Sequence, residues 1–204
     1  MTRSSEPSPA LAALRDATRA LHADLDQHSP LAQEHLHSAS YLDHAARVLG
    51  WMRPLEQAVW LTPLSCALEP QLMIEKRLGK SSWLEQDLAE GGFSPMRLAE
   101  IPRCPYIPAP TSQAELLGMA YVTEGATLGG AFLSKRWAGR LDGLSLRWLK
   151  GYGAETGALW KSFLDVLAVH VVTSSDIAAA QHAAQSTFLS FRCWVIDEAP
   201  ELPR

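Results

Sequence analysis

Cysteine is scarce in this chain of 204 residues, with three in all. Cys66, Cys104 and Cys193 lie far apart and form no CxxC pair, which excludes a disulfide framework and a zinc motif. Reduced thiols in a cytoplasmic protein are the simplest account. Charge of one sign is scarce as well: the net charge is −4, with no block of like charge. A nucleic-acid or membrane-surface partner needs a basic face, so neither is expected. The apolar runs are short and interrupted, and none approaches the roughly 18 consecutive apolar residues of a membrane span. Residues 1–9 lack the apolar stretch of a secretory signal and read as a disordered lead-in. Internal repeats, alternating strand patterns and the GxGxxG nucleotide fingerprint are all missing.

What is present is the composition of an ordinary globular domain, 47% apolar and 20% charged. Apolar residues recur at helical spacing nearly throughout. This predicts an all-α fold, with a single domain over 10–198 and a tail over 199–204. The first helix is expected over 10–26, with Leu11, Leu14, Thr18, Leu21 and Leu25 in one stripe. Residues 27–36 read as a connection or a short helix. Ser38 is the expected N-cap of a second helix that turns Tyr41, Ala45, Val48, Leu49 and Met52 inward and kinks or breaks at Pro54. Shorter helices are expected over 64–78 and 81–89. Seven glycines and prolines between 91 and 111 predict a long loop, of the kind that crosses a surface or closes over a site. Ser112 then caps a long helix to about Arg140, interrupted by Gly125, Gly129 and Gly130. Further helices are expected over 154–171 and from about Ser175.

Three segments carry candidate chemistry. His22 stands at the border of the first apolar stripe. Arg15 lies two turns earlier on nearly the same face, about 10 Å along the axis. That separation is similar to the distance from a haem (heme) iron to its propionates, and the two side chains suit an iron ligand and a carboxylate partner. Asp26, one turn after His22, is placed to accept the other ring N–H. A plain surface histidine is the alternative, and spacing leaves it open. The second segment is Tyr121-Val-Thr-Glu-Gly125-Ala-Thr-Leu-Gly129-Gly130. Its glycines either let another helix approach or strip one face so that a flat ligand can lie against the backbone. In the third, Lys161 is either an anionic anchor or a solvated lysine, and Phe188 and Phe191 on the last helix are most simply core.

Taken together, Leu14-Arg15-Asp-Ala-Thr18-Arg-Ala-Leu-His22, the glycine segment and Gly151-Tyr-Gly153 with Trp160 resemble the haem (heme) oxygenase family. The likeness runs from Leu11 to Trp194 and is nearest to the bacterial branch associated with bacteriophytochromes. The resemblance implies an all-helical, single-domain bundle that clamps haem between a proximal and a glycine-kinked distal helix. It makes His22 the axial ligand of the haem iron, with Thr18 beside it and Asp26 in support. Arg15 and, less closely, Lys161 become propionate contacts. Gly125, Gly129 and Gly130 become the distal residues over the oxygen site, with Tyr121, Phe188 and Phe191 lining the pocket. The implied reaction takes haem as substrate and cofactor, with O2 and an external electron donor, to biliverdin, carbon monoxide and ferrous iron. A ferredoxin or reductase is the implied electron donor, and a bacteriophytochrome the implied recipient of biliverdin. One departure stands out: Ala126 occupies a position where animal members carry aspartate and related bacterial ones often serine.

Other readings compete. A haem-binding carrier of the same fold would accommodate Ala126. A helical di-iron oxygenase would use Glu34-His-Leu-His37 as an ExxH motif, but such sites need a second ExxH and further glutamates. A cofactor-free interaction module leaves the glycines and the His22 neighbourhood without a joint purpose.

Overall fold

The first helix begins where the chain supplies a cap and a proline together. In a computed structural model describing residues 7–198 and 200–202, the Ser8 hydroxyl accepts from the Leu11 N–H. Pro9 takes the first turn, where its missing N–H costs nothing. Helix α1 (Pro9–His28) is thus slightly longer than its stripe predicts. The expected lead-in lies outside the described residues except for 7–9, and Pro9 is already helical; tail residues 199, 203 and 204 lie outside them too. Burial along α1 is graded: Ala10, Leu11, Leu14 and Thr18 are buried, and nothing from Arg19 to His28 is.

Helix α2 (Ser38–Trp60) departs from expectation twice. Its cap residue is His37, while Ser38 is already helical and donates its hydroxyl to Asp142. The helix also runs through Pro54 without a break. Proline removes the hydrogen bond to the carbonyl four residues back, here that of Gly50. The Cys104 N–H donates to that carbonyl instead, at 2.9 Å. A Cβ at Gly50 would overlap the Pro102 carbonyl, so glycine admits the loop that supplies the substitute donor. The proline-rich segment therefore braces α2.

Two short helices, α3 (Pro63–Cys66) and α4 (Ile74–Arg77), replace the single one expected over 64–78, because Pro70 lies between them. Helix α5 (Lys80–Glu90) follows, and α6 (Pro95–Ala99) is one turn within the predicted loop. Helix α7 (Gln113–Trp137) is capped by Ser112 as expected, yet it is continuous through all three glycines. A glycine costs a helix only about 1 kcal/mol against alanine, which packing on several sides offsets.

A short α8 (Arg147–Lys150), not anticipated, precedes α9 (Thr156–His170) and α10 (Ser174–Phe191). Thr173 and Asp176 close a capping box on α10, which continues into a π-helical turn over Arg192–Glu198. The fold is all-α, with no strand among the described residues. Its centre is α7, packed against α10, α8 and α9, while α1 covers α10 and α5 pairs with α2. At the α7–α10 crossing a Cβ on Gly118 would overlap the Ala180 carbonyl. By length and composition α7 is apolar enough to cross a membrane, but half of that stretch is buried within the fold.

Candidate functional site

Side chains from α1, α2, α5, α7, α8 and α10 enclose a cleft of about 200 Å³. Helix α1 contributes His22, Leu25 and Asp26 from its exposed half. The His22 ring stands edge-on to Phe188, 4.9 Å between centroids. Phe191, one turn further along α10, lines the cleft too.

On α7 the helical period decides which residues face the cleft. Residues four apart are rotated 40° from one another, so the row Tyr121, Gly125, Gly129, Leu133 winds around the helix. Gly129 and Leu133 reach the cleft together with Val122 and Ala126. Tyr121 and Gly125 instead turn towards Trp160, whose ring centroid lies 6.0 Å from that of Tyr121. The two explanations for the glycines apply to neighbouring residues. A Cβ on Gly130 would press on the Leu149 carbonyl at 3.0 Å, which is close packing against α8. One on Gly129 would meet nothing within 4 Å, leaving a stretch of bare backbone open to the cleft.

The cleft's far wall depends on a carboxylate. Asp87 of α5, fully buried, accepts from the Tyr41 hydroxyl at 2.7 Å and from the Arg147 and Trp148 N–H groups at 2.6 and 3.0 Å. It thereby caps α8, which carries Trp148 and Leu149 into the cleft.

A model of the family described as Heme oxygenase matches residues 8–197, from the cap of α1 to the π-helical turn. The chain belongs to the heme oxygenase family. Its function is accordingly of the heme oxygenase type, with haem as the expected ligand of the cleft. No curated protein matches the chain.

The cleft residues fit that group. Its walls are largely aromatic and aliphatic, as a flat macrocycle requires; His22 is exposed and accessible, and Gly129 leaves space where a side chain would intrude. Of the residues singled out from the sequence, His22, Asp26, Gly129, Gly130, Phe188 and Phe191 converge on the cleft. Thr18 is buried on α1 and donates to the Leu14 carbonyl at 2.8 Å. Arg15 is exposed and outside the lining, as is Lys161, which pairs with Asp165 at 2.8 Å. Among the described residues no group of three or more metal-ligating side chains forms, so Glu34 and His37 lack the carboxylates of a di-iron site.

Among the residues not singled out from the sequence, Lys80, Glu124 and His44 carry a charge or a titratable ring. Lys80 lines the cleft but is only 2% exposed. Its three N–H donors go to Arg77 O, Glu124 Oε1 and Tyr152 OH, at 3.1, 2.8 and 2.5 Å. Glu124, buried within the glycine segment, also pairs with Arg77 and accepts from Tyr152 at 2.8 Å. Burial works to raise its pKa, but Lys80, Arg77 and the hydrogen bonds hold it below the ordinary value. A charged residue inside an otherwise apolar helix was the available signal.

The third is His44, in line with the apolar face of α2. Burial pushes its pKa down to about 4, with Arg47 adding to the drop and Asp43 opposing it. The sign of the consequence is definite. Between the ordinary value of 6.5 and about 4, the unfolded chain binds a proton that the folded one does not, so stability falls as pH falls. The expected loss across that window is on the order of 3 kcal/mol. Urea unfolding of the wild type and of His44→Leu checks this: the variant should lose the slope, and identical profiles would show that the ring does not titrate there.

Proposed function

We propose that the protein cleaves haem oxidatively to biliverdin, carbon monoxide and ferrous iron, with O2 and electrons from a separate donor. The observation that carries this reading is the convergence of His22 and the bare Gly129 backbone on one apolar cleft. When bound, haem supplies the iron centre for oxygen chemistry and is itself the carbon substrate. The chain's own residues bind and orient it. His22 is the iron ligand; a neutral imidazole lacks the electron push of a thiolate, which would favour O–O cleavage over attack on the ring. Asp26 sits beside it to hold the ring orientation. Arg15 and Lys161, both exposed, are partners for propionates reaching the cleft's mouth. Trp51, Trp148, Phe188 and Phe191 exclude water from the ring edge.

Ferredoxin or a reductase is the proposed donor, since no nucleotide fingerprint is present, and delivery of biliverdin to a bacteriophytochrome in the cytoplasm is the proposed outcome.

A carrier role is the second reading, and α7 favours it at one point. Ala126 offers no polar atom from its side chain, and the Thr127 hydroxyl donates within its own helix to the Thr123 carbonyl at 2.9 Å. The test is to add haemin to the purified protein and supply ascorbate or a ferredoxin system in air, with catalase present. Loss of the Soret band with growth of biliverdin absorption is expected. A stable histidine-ligated spectrum under the same conditions would make the protein a carrier.

A further inference from the structure

His44 is 5% exposed, lines the cleft, and stands near the rings of Trp148 and Phe191, with centroids 6.3 and 6.5 Å away. Neither of its nitrogens makes a hydrogen bond among the described residues. Burial keeps the ring neutral, so it presents one N–H donor and one bare acceptor. Among the described residues the sealed polar atoms without a partner are Arg47 Nη1 and Ser81 Oγ; the His44 nitrogens are not of that kind and open on the cleft. A ligand that fills the cleft is therefore placed to pair with the ring.

The chemistry of that partner can be narrowed. A carboxylate favours a cation, and this ring is not one. An iron ligand needs open approach to the centre of a macrocycle; exposed His22 has it, whereas His44 is recessed between two aromatic side chains. A neutral amide offers both a donor and an acceptor, so whichever imidazole nitrogen faces the cleft finds a neutral partner for one hydrogen bond. The closed haem ring has no such group. Oxidative opening creates two, since each end of the linear tetrapyrrole becomes a lactam with an N–H beside a C=O.

We propose that the His44 imidazole hydrogen-bonds a terminal lactam of the linear tetrapyrrole formed in the cleft, which makes it a specificity residue for product over substrate. The proposal rests on the biliverdin-forming reading above. It gives the protein a means of holding its product after the ring has opened, until a recipient takes it.

Trp51, Trp83 and Trp148 line the cleft, so quenching of tryptophan fluorescence reports its occupancy. The full-length wild type, His44→Leu and His44→Gln are each titrated with haemin and, separately, with biliverdin. Biliverdin affinity should fall about fivefold in His44→Leu, the weight of one neutral hydrogen bond. His44→Gln, which keeps a donor and an acceptor, should recover most of it. Haemin affinity should stay within about twofold in all three, because haem has no group for the ring to hold. Equal losses for both ligands would make His44 a general wall or a propionate contact. Loss of the histidine-ligated haemin spectrum would make it an iron ligand, and unchanged biliverdin affinity would leave it without a ligand role. Each of these overturns the proposal. A wild type that binds neither tetrapyrrole overturns the functional reading itself, and the proposal with it.

Discussion

Replacing His22 with alanine is expected to abolish the histidine-ligated haem spectrum and the oxidative chemistry that depends on it. The loss should exceed about 100-fold in affinity, since removing merely a partner of a metal-bound histidine costs about 10- to 100-fold. The fold should be untouched, because His22 is exposed and nothing in its half of α1 is buried. Thermal unfolding of the unliganded variant should therefore match the wild type. Free imidazole offers a sharper check: the vacated position opens to solvent, so added imidazole should restore the spectrum in part. A variant that keeps an unaltered spectrum without imidazole would remove His22 from the ligand role.

Glu124→Ala is expected to be among the most destabilising single changes in the protein. It strips the common counter-charge from Arg77 and Lys80, which are 0% and 2% exposed, and leaves two cations buried without it. Breaking a buried ion pair from one side costs about 3–5 kcal/mol, against a total stability of about 5–15 kcal/mol for a domain. Glu124→Gln keeps the shape while removing the charge, and should fall between the wild type and alanine. The acid response follows from the lowered pKa of Glu124. Its stabilising share is present above the ordinary value of 4.5 and is lost as pH falls through 4.5 towards the lower folded value. Denaturant unfolding at pH 7 and below pH 4.5 should show a larger loss in the wild type than in Glu124→Gln, which keeps the share due to His44. Equal acid sensitivity in both would place the acid-labile group elsewhere.

The α1 wall of the candidate site was legible because its determinants are local. A cap, a proline, one apolar stripe and a histidine at its border fall within a single helix, and α1 follows them closely. What went unread depends on residues distant in the chain. The continuity of α2 through Pro54 requires a donor from Cys104, fifty residues later, which no local pattern announces. Gly125 and Gly129, four apart, look aligned along the chain, but the helix turns every 3.6 residues, and that difference separates them. Lys80 looks like an ordinary surface charge, and the partners of Glu124 stay hidden, until Arg77, Tyr152 and the two of them meet in space. His44 lies in line with the apolar face of α2, but the aromatic rings of α8 and α10 that enclose it are distant in the chain.

The graded burial of α1 has a mechanical corollary. Its first three turns are fixed by buried leucines and by Gln181 and Gln185, which donate to the Ala13 and Ala17 carbonyls. The remaining turns, which carry His22, the proposed iron ligand, are retained chiefly by half-buried Leu21 and Leu25 and the Asp24–Arg192 pair. Local opening costs least where few apolar contacts must be given up. The helix is thus fastened like a hinge leaf, held firmly at its start and lightly at its end. On the proposed function, displacement of that end alone would admit a flat substrate at least cost, with the α7–α10 crossing left closed.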